Sequence, residues 1–153
     1  MGEPRRPAAD GGDDPVVAAV FDAVAAAAPE IRAALPGRRV ESGTENASGE
    51  TAFAGDLYAD ELLGDAITAL DGVGSFVSEE RETAVDSGDA VDGETADGPP
   101  YAVAIDPLDG SSNLRSNNAM GTVVGVYDAP LPASGRDLVA AGYVLYGPIT
   151  TMV

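Results

Sequence analysis

The apolar run Tyr101-Ala102-Val103-Ala104-Ile105 passes directly into Asp106-Pro107-Leu108-Asp109-Gly110-Ser111-Ser112-Asn113, and this junction limits the fold more than any other stretch. It predicts a strand with a turn at its end, and the turn carries two carboxylates three residues apart. Pro107 fixes φ and stiffens the chain between the acids. Gly110 allows a positive φ and close approach of the backbone to a ligand. The amides of Gly110, Ser111 and Ser112 are then free to form an anion-binding nest or the first turn of a helix. Carboxylates able to hold Mg²⁺ beside amides able to hold phosphate make up much of a phosphate-ester hydrolysis site. The plain alternative is a surface turn, since Asp-Pro and Asp-Gly are ordinary turn dipeptides.

Composition removes most other chemistries. The 153 residues contain no cysteine and no histidine. Disulfides, zinc-thiolate sites, thiol nucleophiles, Ser-His-Asp triads and imidazole ligands are therefore excluded. Hard oxygen ligands remain, and these favour Mg²⁺ or Mn²⁺. Acids outnumber bases 26 to 8, a net charge of −18, and every base is arginine. Such a surface repels nucleic acid and anionic lipid, so neither is expected as a partner. The acids run along the whole chain rather than forming a tail. They repel one another in dilute buffer but are screened at molar salt, where the Debye length is only ~3 Å. This is how halophilic proteins are built, and a haloarchaeal type of cytosol accounts for it. Residues Met1 to Asp14 are polar with no signal core, and no stretch approaches the ~20 apolar residues of a membrane span. A cytoplasmic location is expected.

The length suits one domain. Residues 1–14 read as a disordered arm, and 15–153 as the domain. Asp14-Pro15 marks a helix start, followed at helical spacing by Val16, Val17, Val20, Phe21 and Val24. Pro29 is expected to kink or restart this helix before the stop at Pro36-Gly37. A short strand around Val40 leads into the polar loop Ser42 to Glu50. From Ala54 to Leu70, Leu57, Tyr58, Leu62, Ala66, Ile67 and Leu70 trace one helical face. Phe76 to Glu79, Thr122–Tyr127 and Leu138–Leu145 read as strands, Arg81 to Pro100 as a surface excursion and Asp128 to Arg136 as a loop. Helices first and a meander of strands afterwards indicate an α+β fold with a largely antiparallel sheet. The chain stops inside the β-branched segment Pro148 to Val153, which predicts truncation within a strand.

The octapeptide resembles the metal-binding signature of the class 1 fructose-1,6-bisphosphatase family, within the Mg-dependent, Li-sensitive sugar-phosphatase superfamily. Phe76-Val77-Ser78-Glu79-Glu80 is similar to that family's paired-glutamate strand. Asp137-Leu138-Val139-Ala140-Ala141-Gly142-Tyr143-Val144-Leu145-Tyr146-Gly147 is similar to its strand pair after the metal loop. Asn46 to Leu63 more weakly resembles its mobile catalytic loop and following helix. The resemblance implies the N-terminal half of the layered sugar-phosphatase fold, since family members continue for roughly another chain's length. It implies a homo-oligomer for the full-length family.

The resemblance further implies Mg-dependent hydrolysis of the 1-phosphate of fructose 1,6-bisphosphate, a gluconeogenic step, with two or more Mg²⁺ (or Mn²⁺) ions. Glu79, Asp106, Asp109 and the Leu108 carbonyl are the implied metal ligands. Glu50, where the family usually has aspartate, is implied for a third ion. Glu80 and Asp56 are implied to activate the attacking water, and Asp109, Gly110, Ser111 and Ser112 to hold the phosphate. From the residues alone, Glu79 and Glu80 are neighbours on a strand and leave opposite faces. Asp56, opening a helix, also complements its dipole. No arginine cluster is suited to a sugar bisphosphate, and Arg115 alone lies close to the motif in sequence. Pro100 and Asp128 stand where animal members have basic AMP-binding residues, so AMP inhibition of that type is not expected. Two alternatives stand beside this one: a related inositol or sugar phosphatase, and an inactive acidic Mg-binding fragment.

Overall fold

The computed structural model describes residues 14–87, 100–147 and 151–153. Helix α1 (Pro15–Ala34) starts where predicted: the Asp14 carboxylate accepts the Val16 and Val17 amides at 2.9 and 3.2 Å, and Pro15 occupies the first helical position. The helix runs unbroken through Pro29, contrary to the expected kink or restart. Pro29 faces solvent, where water can take over the carbonyl left without an amide partner. One face buries Val17, Val20, Val24, Ala27, Ala28 and Ile31. A 3-10 turn over Leu35–Arg38 then ends the segment at Pro36-Gly37.

The polar stretch after Val40 is not one loop. It forms a hairpin of β1 (Glu41–Glu45) and β2 (Thr51–Phe53). Helix α2 (Ala54–Thr68) follows, but the face it buries is Gly55, Asp56, Ala59, Asp60, Leu63, Gly64 and Ile67. Of the apolar stripe read from the sequence, only Ile67 is fully buried, and Leu57 points to solvent. The stripe was rotated because the buried row contains acids and glycines.

The main sheet adds β3 (Val73–Ser78), β4 (Val85–Asp86), β5 (Tyr101–Asp109), β6 (Met120–Tyr127), β7 (Leu138–Tyr146) and β8 (Thr151–Met152), in the order β4-β3-β5-β6-β7-β8. Only β3 and β5 pair in parallel; the other neighbours are antiparallel. This is the expected α+β fold. Both helices contact the sheet, and their apolar residues join Phe76, Val103, Ile105, Val124, Val126, Val144 and Tyr146 in one core. Residues of the other parity on β6 and β7, Val123, Tyr143 and Leu145, remain exposed. No described helix is long and apolar enough to cross a membrane. Of the expected arm, residues 1–13 lie outside the described residues, as do 88–99 of the excursion; Asp14 belongs to the helix start.

Candidate active site

β3 and β5 run side by side in parallel, so their carboxyl ends lie together, with Ser78 opposite Ile105. Ligands of α/β sheets gather at such ends. β5 does not end at Ile105 but continues through Pro107 to Asp109. In a regular strand, residues three apart face opposite ways. Here the register slips: Asp106 pairs with Val123 and Asp109 with Gly121, leaving one more residue on β5 than on β6. This bulge turns both aspartates towards one cleft, and Pro107, with no amide to donate, is suited to it. The buried Thr122 hydroxyl fixes the bulge by donating to the Pro107 carbonyl at 2.8 Å, and it also pairs with the Tyr146 hydroxyl at 2.8 Å.

Gly110 then takes a left-handed conformation, φ +75°, and starts the 3-10 turn Ser111–Leu114. A side chain would find room there, so it is the backbone angle that asks for glycine. The Arg39 guanidinium holds the far end of this turn, donating to the Leu114 and Arg115 carbonyls at 2.7 and 3.0 Å. Arg115 itself pairs with Glu41 and lies over the Phe53 ring, and it does not line the cleft.

β3 stops at Ser78, so Glu79 and Glu80 are not successive strand residues leaving opposite faces. They lie in a turn closed by the Arg81 amide on the Ser78 carbonyl, 3.2 Å, and the Glu80 amide on the Ser78 hydroxyl, 3.2 Å. Both line the cleft. Asp56 enters from the first turn of α2, where its carboxylate accepts the Phe53 amide at 2.6 Å. Glu50 lies at the exposed rim, its amide on the Asn46 side-chain oxygen at 2.8 Å.

Three chain segments thus bring Glu50, Asp56, Glu79, Glu80, Asp106 and Asp109 around a cleft of about 400 Å³, together with Leu108 and the Gly110–Ser112 turn. Every residue named from the sequence as a site candidate lines it, and among the described residues none of the lining is basic. Asn46 and Ser48, neither of them a candidate from the sequence, also reach the site through Glu79. The Asn46 side-chain oxygen accepts the Ser48 amide at 3.1 Å and the Ser48 hydroxyl at 2.8 Å. The Ser48 hydroxyl reaches Glu79 at 3.3 Å, and the Ala47 amide reaches the Glu79 carbonyl at 3.1 Å. The Asn-Ser turn chemistry of residues 46–49 was the available signal.

Crowding raises the carboxyl pKa values. Burial, then the charges of Asp56 and Glu79, push Glu80 up to about 7, against a hydrogen bond from Asn46. Burial, then a hydrogen bond shared with Glu79 and the charges of Glu79 and Asp109, push Asp106 up to about 7, against the Leu108 amide. Burial also raises Asp56, against its bonds from Phe53 and Ser111.

Among the described residues no three acids converge on one point as a finished cage. The donor set nevertheless fits a hard divalent cation. All its groups are oxygens, one Glu80 oxygen is buried without a hydrogen-bond partner, and the charges of Glu79 and Asp109 crowd Asp106, a repulsion that a cation would relieve.

The profile described as "Fructose-1-6-bisphosphatase, N-terminal domain" matches residues 15–153. A protein of Halobacterium salinarum named fructose-1,6-bisphosphatase class 1 is 57% identical over 138 residues, covering 90% of this chain and 46% of the relative. One of the same name from Natronomonas pharaonis is 54% identical over 134 residues, covering 88% and 44%. The crystal structure of Leishmania major fructose-1,6-bisphosphatase in holo form superimposes with a TM-score of 0.76 at 22% identity, over 97% of this chain and 52% of that one, and so shares its fold. The chain spans about half the length of the curated relatives it matches. On the family match across its helices, its sheet and the acidic cleft, the chain belongs to the fructose-1,6-bisphosphatase family, in the N-terminal domain.

Proposed function

We propose that the cleft is the metal and 1-phosphate portion of a fructose-1,6-bisphosphatase site, in a cytoplasmic, gluconeogenic, homo-oligomeric enzyme in which residues 15–153 form one folding unit. The observation that carries this reading is the meeting of six carboxylates with the Gly110–Ser112 turn in one cleft. Glu79, Asp106, Asp109 and the Leu108 carbonyl would hold two or more Mg²⁺ or Mn²⁺ ions, with Glu50 available at the rim. Such ions supply charge neutralisation at the phosphate oxygens and the leaving oxygen. The amides of Gly110, Ser111 and Ser112 hold the 1-phosphate in line for attack. Glu80, with Asp56 behind it, takes the proton of the attacking water. Its pKa of about 7 suits that work at neutral pH. The products are fructose 6-phosphate and phosphate. Among the described residues no base lines the cleft, so the distal phosphate is held by groups outside it. Pro100 and Asp128 leave AMP inhibition of the animal type without its basic residues.

Two measurements test this at molar KCl. Calorimetry is expected to show Mn²⁺ binding that weakens by about two orders of magnitude in Asp106→Asn. A chimera in which this chain replaces the matching part of the Halobacterium salinarum relative is expected to release phosphate from fructose 1,6-bisphosphate, and Asp106→Asn to silence it. A folded but inactive chimera, or unchanged Mn²⁺ affinity in the variant, overturns the assignment.

A further inference from the structure

Directly behind the paired glutamates, Arg81 turns back onto α2. Its Nε donates to the Asp60 carboxylate at 2.8 Å and its Nη2 reaches the Asp60 backbone carbonyl at 3.4 Å. The guanidinium lies 5.5 Å from the centre of the Phe76 ring, and the pair is mostly buried, with side-chain exposures of 30% and 11%. Asp60 stands one turn after Asp56, and Gly64 one turn further, so all three share a buried row of α2. Glycine inside a helix costs stability and asks for a reason. The reason is Arg81: a Cβ at Gly64 would stand 2.6 Å from its Nη2.

We propose that Arg81, seated in the notch of Gly64 and anchored on Asp60, is a positioning residue that fixes the Glu79–Glu80 turn at the distance from Asp56 that the cleft requires. The turn is tied by the Glu79 amide to Ile105 of β5, 3.2 Å, by the two Ser78 bonds within the turn, by Ala47 and Ser48 on Glu79, and by Arg81 to the helix. The first two fix the turn to the sheet. Arg81 links it to the element that carries Asp56. A buried ion pair adds little net stability, whereas removing one partner leaves a charge uncompensated. One Asp60 oxygen is already buried without a hydrogen-bond partner, so the pair is poorly explained by stability alone.

The proposal rests on the metal reading of the cleft, so its test uses two readouts, in molar KCl. Mn²⁺ affinity, followed by electron paramagnetic resonance of the free ion, is expected to fall about tenfold or more in Arg81→Ala and in Gly64→Ala, and to recover partly in Arg81→Lys. Gly64→Ala keeps every charge and displaces only the guanidinium, and its higher helix propensity favours folding if Arg81→Ala does not fold. Amide hydrogen exchange without metal is expected to quicken about tenfold at Glu79 and Glu80 in Gly64→Ala, with Val103 and Val124 unchanged. Absence of Mn²⁺ binding in the unaltered chain defeats the metal reading while the exchange experiment still judges the clamp. Gly64→Ala with unaltered exchange at Glu79 and Glu80 overturns the clamp, as does an equal loss of affinity in a comparably destabilised Val24→Ala chain.

Discussion

Helices α1 and α2 pack against each other and contact the same sheet, yet they bury opposite kinds of surface. The buried row of α1 is wholly apolar: Val17, Val20, Val24, Ala27, Ala28 and Ile31. That of α2 alternates apolar residues with Asp56, Asp60 and two glycines. An acid in a core costs stability unless something answers it, and here the Phe53 amide answers Asp56 and the Arg81 guanidinium answers Asp60. The helix that breaks the core rule is the one that reaches the cleft, through Asp56, as expected where function is bought with stability. α1 supplies the core that carries that cost.

This division is broken most directly through α1. Ile31 is fully buried, and Ile31→Ala is expected to lose about 2–5 kcal/mol in guanidinium unfolding at molar KCl, with Mn²⁺ affinity of the folded chain unchanged. A variant that unfolds no more easily, or that loses metal as Asp106→Asn does, ends the distinction.

The site sharpens it through pH. Glu80 and Asp106 have pKa values raised from 4.5 and 3.8 to about 7 in the fold, and Asp56 is raised as well. Between the ordinary carboxyl range and pH 7 the folded chain holds protons that the unfolded chain has released. Stability therefore falls as pH rises through this window and levels off above about 7. The metal-free chain is expected to melt a few degrees lower at pH 8 than at pH 5.5 in molar KCl. Mn²⁺ should remove most of the difference, and Glu80→Gln should reduce it. A flat melting profile from pH 5 to 8 contradicts the crowding described for the cleft.

The smallest effect belongs to the start of α1. Asp14→Ala removes the cap on Val16 and Val17 and the partner of the Tyr101 hydroxyl, 2.8 Å away. A loss of about 1 kcal/mol is expected, seen in the melting temperature and not in Mn²⁺ binding. An accompanying tenfold loss of metal affinity would tie α1 to the site and blur the contrast.

The sequence by itself determined what is local or periodic. Asp14-Pro15 set the start of α1, because capping and proline geometry act within one turn. Val17, Val20 and Val24 set its inner face, because apolar spacing alone decides it. The strand cores, the α+β order and the acidic octapeptide were legible in the same way, and the absence of cysteine and histidine left only oxygen chemistry. Tertiary structure decided the rest. The apolar positions of α2 pointed to the wrong face, because Asp60 on its buried row is answered by a partner elsewhere in the chain, Arg81, 21 positions away. Strand alternation placed Glu79 and Glu80 on opposite faces, and a turn after Ser78 directs both into the cleft. Asp106 and Asp109 share a face because β5 carries one residue more than β6 beside the bulge, a register that neither strand contains alone. The physical reason is the same each time: a carboxylate is placed by the charges, amides and ladder bonds that meet it in space, and sequence spacing does not encode them.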